Sequence, residues 1–284
     1  MANDLARGAL LLLIGECLLA VMAASIKHLS QEVPQEILVF TRNLFGLVFL
    51  VPIIAHHGFH SLKTSRLPLH MMRALVGVTA MYCYFYVIAN LPLAEAALVK
   101  LSSPFFLPII ALLWLGERIS QRTLWAILIG FLGVVFVLRP GSDTFQVVAL
   151  VGIAGAALAS LAKVTIRKMA DTEPSYRIVF YFGLIATLVS SVPFLLLWQL
   201  PPQDTWVWLL AIGLTGTVGQ LLMTKAYAIA NPGQVGIYTY SAVIYAAGFG
   251  WFFWDEVVVI TTLIGTGLIV GAGLLNLSAK KPIR

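Results

Sequence analysis

Four ionisable side chains, Glu16, Arg42, Lys100 and Lys163, stand inside runs that are otherwise almost wholly apolar. On insertion scales a charge at the centre of a membrane helix costs about 2.5–3.5 kcal/mol. Four unpaired charges would cost on the order of 10–14 kcal/mol, so each must face protein, water or another of the four. Glu16 and Arg42 fall near the middle of consecutive runs joined by a short connection, which makes the two runs antiparallel neighbours. An ion pair between them is feasible, and Arg42 is a candidate for such a structural role. Glu16 is equally a candidate proton carrier, the part membrane carboxylates play in proton relays. Lys100 lies about four residues, roughly 6 Å, outward from the centre of its run, too deep to be relieved by snorkelling. Lys163 lies nearer the opposite boundary and can partly reach it. Two lysines facing one cavity favour a carboxylate, a phosphate or a zwitterion.

A polar face runs beside these charges. Thr79, Cys83 and Tyr86 fall at i, i+4 and i+7, on one side of a helix. Such a face is either packing glue between helices or the wall of a wet cavity. Gln220, Thr224 and Tyr227 form a second face of the same kind, and the Gln220 amide offers both donors and an acceptor. Tyr240 and Ser241 follow further along, with Tyr238 and Tyr245 near them. Trp206, Trp208, Trp251 and Trp254 stand near the ends of apolar runs, as interfacial belt residues do. His56, His57 and His60 form an HHxxH run without an acidic or cysteine partner, so no metal is expected. Cys17 and Cys83 sit in apolar runs as small hydrophobes, not as a disulfide framework. No GxSxG, HExxH or phosphate-binding loop occurs, so no catalytic residue and no cofactor is expected, and the chain does not read as an enzyme.

The elements that must position these residues follow from composition. Of 284 residues, 60% are hydrophobic and 11% charged, and the mean hydropathy is +0.94. Soluble domains carry about 25% charged residues, so a water-soluble globule is excluded. Apolar runs occupy 5–26, 34–55, 70–89, 93–115, 122–138, 146–168, 176–198, 204–227, 233–253 and 258–277, which predicts ten transmembrane helices in an all-α polytopic protein. Connections such as Asn90-Leu91-Pro92 leave room only for tight hairpins, because backbone groups cannot stay unpaired in hydrocarbon. The first run lacks a cleavage pattern and reads as a retained span. With the N-terminus cytoplasmic, most basic residues outside the spans, among them Lys63, Arg66, Arg118, Arg122, Arg167, Lys168, Arg177, Lys280 and Lys281, fall on the inside, and only Lys27 and Arg139 fall outside. Both termini are thus expected in the cytoplasm. The 18 basic residues form no stripe or tail, so nucleic acid is not an expected partner. The bilayer is, and a homodimer is left open.

The chain also repeats itself. At an offset of about 140 residues, Tyr86 to Asn90 falls on Tyr227 to Asn231, and Trp114 to Glu117 falls on Phe253 to Glu256. The polar face at Thr79, Cys83 and Tyr86 falls on Gln220, Thr224 and Tyr227. The expected units are residues 1–140 and 141–284. Each holds five spans, an odd number, so the second must enter the membrane inverted relative to the first. Glu117 and Glu256 close corresponding spans and are expected to fix helix ends. Gly130, Gly133, Gly265, Gly267 and Gly271 suit close packing of spans five and ten.

Ten spans in two halves carry Phe40-Thr41-Arg42-Asn43-Leu44-Phe45-Gly46, Pro92-Leu93-Ala94-Glu95-Ala96, Ser103-Pro104 and Gly116-Glu117, then Gly219-Gln220, Tyr240-Ser241 and the closing Glu256. In this order the motifs resemble the drug/metabolite transporter superfamily, EamA type, over nearly the whole chain. The resemblance implies a secondary transporter of small organic solutes working by alternating access in a bacterial inner membrane. Its cavity would be lined by spans one, three, four, six, eight and nine. Substrate-binding candidates are Lys100, Lys163, Gln220, Tyr240, Thr79, Tyr86 and Ser241. Lys100 departs from the family pattern, which has an apolar or small residue there, and so argues against a simple neutral cargo. The alternatives to transport are an intramembrane enzyme, for which no acid–base cluster is evident, and an oligomeric channel or scaffold.

Overall fold

A computed structural model describes residues 2–116, 119–138, 143–169, 172–197, 199–229 and 236–277. Glu117, Arg118, Arg139, Asn231, Gly233, Lys280, Lys281 and Arg284 lie outside the described residues, as do the side chains of His57, Arg167, Thr224 and Tyr227.

Every apolar run folds mostly as helix over its described residues, because only a helix satisfies each backbone group within its own segment. The helices are α1 (Ala2–Leu29), α2 (Gln35–His57), α3 (Leu67–Asn90), α4 (Leu93–Lys100), α5 (Ser103–Leu115) and α6 (Gln121–Leu138). They continue as α7 (Asp143–Met169), α8 (Ser175–Leu197), α9 (Trp206–Ile229), α10 (Ser241–Trp254) and α11 (Ile260–Leu277). Among the described residues, eight stretches are long and apolar enough to cross a membrane, with α4 and α5 together forming one of them. Large apolar side chains face outward: Leu113 is 80% and Leu196 82% exposed. A surface of that kind needs lipid, not water, around it.

Two runs are not the continuous helices expected from their hydropathy. The fourth breaks at Leu101–Ser102, where Pro104 enters the first turn of α5 without an N–H to give the preceding turn. Ser102 Oγ donates to the Val99 carbonyl at 2.6 Å and satisfies part of the broken end. The ninth begins as a 3₁₀ turn, Gly236–Tyr240, and becomes α10 at Ser241. The two irregularities fall at the offset that relates the two halves. Pro52 inside α2 and Pro193 inside α8 correspond in the same way.

Helix contacts come in matched sets. The α1–α9 packing is mirrored by α7–α3, α2–α9 by α8–α3, and α1–α10 by α7–α5, while α2 meets α8 and α6 meets α11. Close approach depends on missing side chains. A Cβ on Gly15 would stand 3.0 Å from the Gly219 carbonyl, and one on Gly219 would stand 2.9 Å from that of Gly15. Gly133 and Gly265 approach one another in the same reciprocal manner between α6 and α11, as the glycine pattern predicts. The fully buried Phe105 fills the space left by Gly130, so α5 and α6 lock around a ring.

Candidate functional site

The break in the fourth span brings charge to the interior of the bundle. Lys100 is the last residue of α4, where the helix's unsatisfied carbonyls favour a cation. Its Nζ lies 5.5 Å from the centroid of the Tyr84 ring on α3. Across the break, Ser103 Oγ at the start of α5 accepts from Lys163 Nζ of α7 at 3.0 Å and lies 2.9 Å from Ser160 Oγ. Ser160, completely buried, also donates to the Ser103 carbonyl at 2.5 Å, which ties α7 to the broken end. Glu16 of α1 completes the group. It lies within electrostatic range of Lys100 and Lys163, its side chain is 1% exposed, and its Oε2 has no hydrogen-bond partner among the described residues. Both lysines retain exposed surface. One carboxylate thus lies within electrostatic range of two ammonium groups near the break.

The pairing of Arg42 with Glu16 is not formed. Arg42 Nη1 donates to Asn43 Oδ1 at 3.1 Å and Nη2 donates to Gln220 Oε1 at 3.3 Å. Among the described residues Arg42 has no carboxylate within ion-pair distance. The reason is topological: α9 packs against both α1 and α2, so consecutive antiparallel helices are not the main neighbours here. Arg42, Asn43 and Gln220 instead line a cavity of about 480 Å³ between α2, α8 and α9.

The other candidates disperse. Thr79 is exposed and its hydroxyl donates to the Leu75 carbonyl of its own helix at 2.9 Å. Cys83, on the same face, packs against Gly155 of α7, and Tyr86 is half-buried against the core. The α3 face that reaches Lys100 carries Tyr84, one residue round the helix. Tyr240 rests its hydroxyl against Gly273 of α11, where a Cβ would overlap it. Ser241 is buried and its Oγ has no hydrogen-bond partner. Tyr84, Ser103 and Ser160 were not among the predicted site residues. The Ser103-Pro104 pair was the available signal for the break.

At the end of the bundle remote from the N-terminus, Lys27 pairs with Glu256 and donates to the Leu91 carbonyl at 2.7 Å. Glu256 Oε2 also accepts from the Leu93 N–H at 2.7 Å. Glu256 therefore does more than close a helix: it joins α1 and the α3–α4 turn to the end of α10. Trp254 lies under this pair, 5.7 Å from Lys27 Nζ.

The EamA-like transporter family matches this sequence twice, over residues 6–139 and 146–278. The chain belongs to the EamA-like transporter family. It is an integral membrane transporter of small metabolites. A pseudopaline exporter from Pseudomonas aeruginosa is 34% identical over 99% of this chain and 100% of its own length. A riboflavin transporter from Brucella anthropi is 26% identical, covering 85% of this chain and 87% of its own. An S-adenosylmethionine uptake transporter from Rickettsia bellii is 25% identical over 94% of both. A crystal structure with 20% identity superposes at a TM-score of 0.68 over 94% of this chain and 96% of its own, which shows the shared fold.

Proposed function

We propose that this protein is a secondary transporter in which residues 1–140 and 141–284 form two inverted five-helix repeats that alternate access to one central site. The solute is a small organic metabolite with an anionic or zwitterionic group. Lys100 and Lys163 attract its anion, and Glu16 either carries a proton or receives the solute's ammonium group. The observation that carries this reading is the placing of Lys100 and Lys163 at the break between α4 and α5, with buried Glu16 within their electrostatic range. Interrupted helices at corresponding depths in two halves mark the substrate sites of inverted-repeat transporters, and the second interruption lies at Tyr240–Ser241. The matched helix pairs support the repeat, and the distribution of lysine and arginine supports cytoplasmic termini in a bacterial inner membrane.

The full-length likeness to a pseudopaline exporter makes export of a charged, amino acid-like compound the first activity to assay. A thermal-shift screen of purified protein against amino acids, riboflavin, S-adenosylmethionine and nucleotides identifies a ligand. Transport of that ligand into proteoliposomes then saturates and shows counterflow, which a channel or scaffold does not do. Lys100→Ala reduces it at least about tenfold, the cost of losing one charge-assisted contact of about 1.5–3 kcal/mol. Normal transport by Lys100→Ala would remove this site assignment.

A further inference from the structure

The cavity between α2, α8 and α9 holds positive charge that no carboxylate among the described residues neutralises. Its deep end is formed by Arg42, Asn43 and Gln220 at the middle of the spans. Its rim is formed by Tyr176 and Lys225 toward the end of the bundle that carries the N-terminus. Arg42 is 8% exposed, and its two hydrogen-bond partners are neutral amides. Arg73 of α3, 6% exposed, lies behind the cavity wall with its guanidinium 3.9 Å from the centroid of the Phe182 ring. Its Nε and Nη1 are buried without a hydrogen-bond partner among the described residues. Arg73 is also electrostatically coupled to Arg42, so two buried cations repel one another. Among the described residues neither is paired with a carboxylate. Buried charges are normally compensated, and amides and an aromatic ring orient a guanidinium without cancelling its charge. Between the deep end and the rim the walls are apolar, with Leu50, Ile53, Val179 and Leu221.

We propose that this cavity is a second anion-binding site, separate from the Lys100–Lys163 group, which seats a carboxylate or phosphate on Arg42 and holds an apolar body against α2, α8 and α9. Arg73 deepens the positive potential from behind Phe182, and Lys225 guides the anion at the rim. The guanidinium suits an oxyanion better than a halide, because its planar fork presents two parallel donors. The site lies at a seam between the two halves, since α2 belongs to the first and α8 and α9 to the second. Its occupant therefore bridges them. A soluble amphipathic anion and the phosphate of a bilayer lipid share this chemistry.

The probe is octyl phosphate, titrated into delipidated protein in a neutral detergent, with 1-octanol as the uncharged control. Octyl phosphate binds saturably and raises the melting temperature, whereas octanol does neither. Arg42→Gln weakens binding about tenfold or more, the loss of one bidentate contact. Lys225→Gln, a change at an exposed rim position that leaves folding intact, weakens it severalfold and decides the matter if Arg42→Gln does not fold. Lys100→Ala binds octyl phosphate like the parent protein. Nanodiscs of phosphatidylcholine with and without phosphatidylglycerol separate the sources. Competition by phosphatidylglycerol identifies a lipid headgroup, its absence identifies a soluble anion, and either sustains the site. No saturable binding, equal binding by Lys225→Gln and the parent, or loss of binding in Lys100→Ala overturns it.

Discussion

Lys100 shows how a single residue acquires meaning from its backbone. In a continuous helix it would be an isolated cation in hydrocarbon, but at the C-terminal end of α4 it meets helix carbonyls, the Tyr84 ring and the charge of Glu16. Glu16→Gln is expected to abolish transport driven by a pH gradient while expression stays normal. Transport with an unchanged pH profile assigns Glu16 to solute binding alone. Ser160→Ala, which leaves the shape of α7 intact but frees Ser103 and the end of α5, is expected to cost about 1–2 kcal/mol of stability and to weaken solute affinity. Thermal melts and transport assays read the two effects separately. The charged members of this group were legible in the sequence, because a charge in an apolar run is conspicuous. Tyr84 and Ser160 were not, since periodicity marks a polar face without saying which face meets a partner. Arg42 likewise meets a partner that chain order does not suggest. Its real partner, Gln220, is far away along the chain, and the antiparallel neighbour suggested by order is displaced by α9.

The elements follow hydropathy closely, and their departures follow local chemistry. Each predicted span is mostly helical over its described residues, since helix geometry is the local answer to an apolar environment. The break at Leu101–Ser102 needed more than hydropathy, because the run from Leu93 to Leu115 stays apolar on both sides of it. Helix contacts depend on glycines at crossing points. Gly133→Leu should force α6 from α11, costing about 1–3 kcal/mol by overpacking and lowering the melting temperature by several degrees. The same change at Gly267, where a Cβ meets nothing within 4 Å, is expected to be nearly neutral. Equal destabilisation by the two variants would refute the crossing assigned to Gly133 and Gly265. Spacing alone had grouped Gly267 and Gly271 with these contacts, yet both face open space, which in a bilayer is lipid.

At the scale of the whole molecule, polar contacts join the two stretches that match the family at both ends of the bundle. Lys27, Leu91 and Leu93 meet Glu256 at one end. At the other, Glu173 accepts from Thr64 Oγ1 at 2.7 Å and from Arg177 Nη1 at 2.8 Å, with His70 Nε2 at 3.5 Å. Arg177 and Tyr181 donate to the carbonyls of Ser61 and Leu62. Reversing the charges singly, Lys27→Glu or Glu256→Lys, should impair transport, and the double reversal should restore it in part, because a lysine at 256 cannot accept from the Leu93 N–H. Burial pushes the Glu173 carboxyl up, but the Thr64 hydroxyl and Arg177 outweigh it and hold the group below its ordinary value of 4.5. The stabilisation is therefore full above that value and lost as pH falls through the lower folded value. Melting curves in acid should show this loss in the parent protein, with a flatter acid limb in Glu173→Gln. Sequence by itself determined the membrane class, the apolar helices and which charges lie among them, because hydrophobic burial and charge cost are properties of short stretches. Only the tertiary structure decided which charges meet, where a span breaks and what ties the halves together. Those outcomes depend on helices distant in the chain, and α9 standing between α1 and α2 is the contact that reassigned Glu16 to the lysines and Arg42 to a cavity of its own.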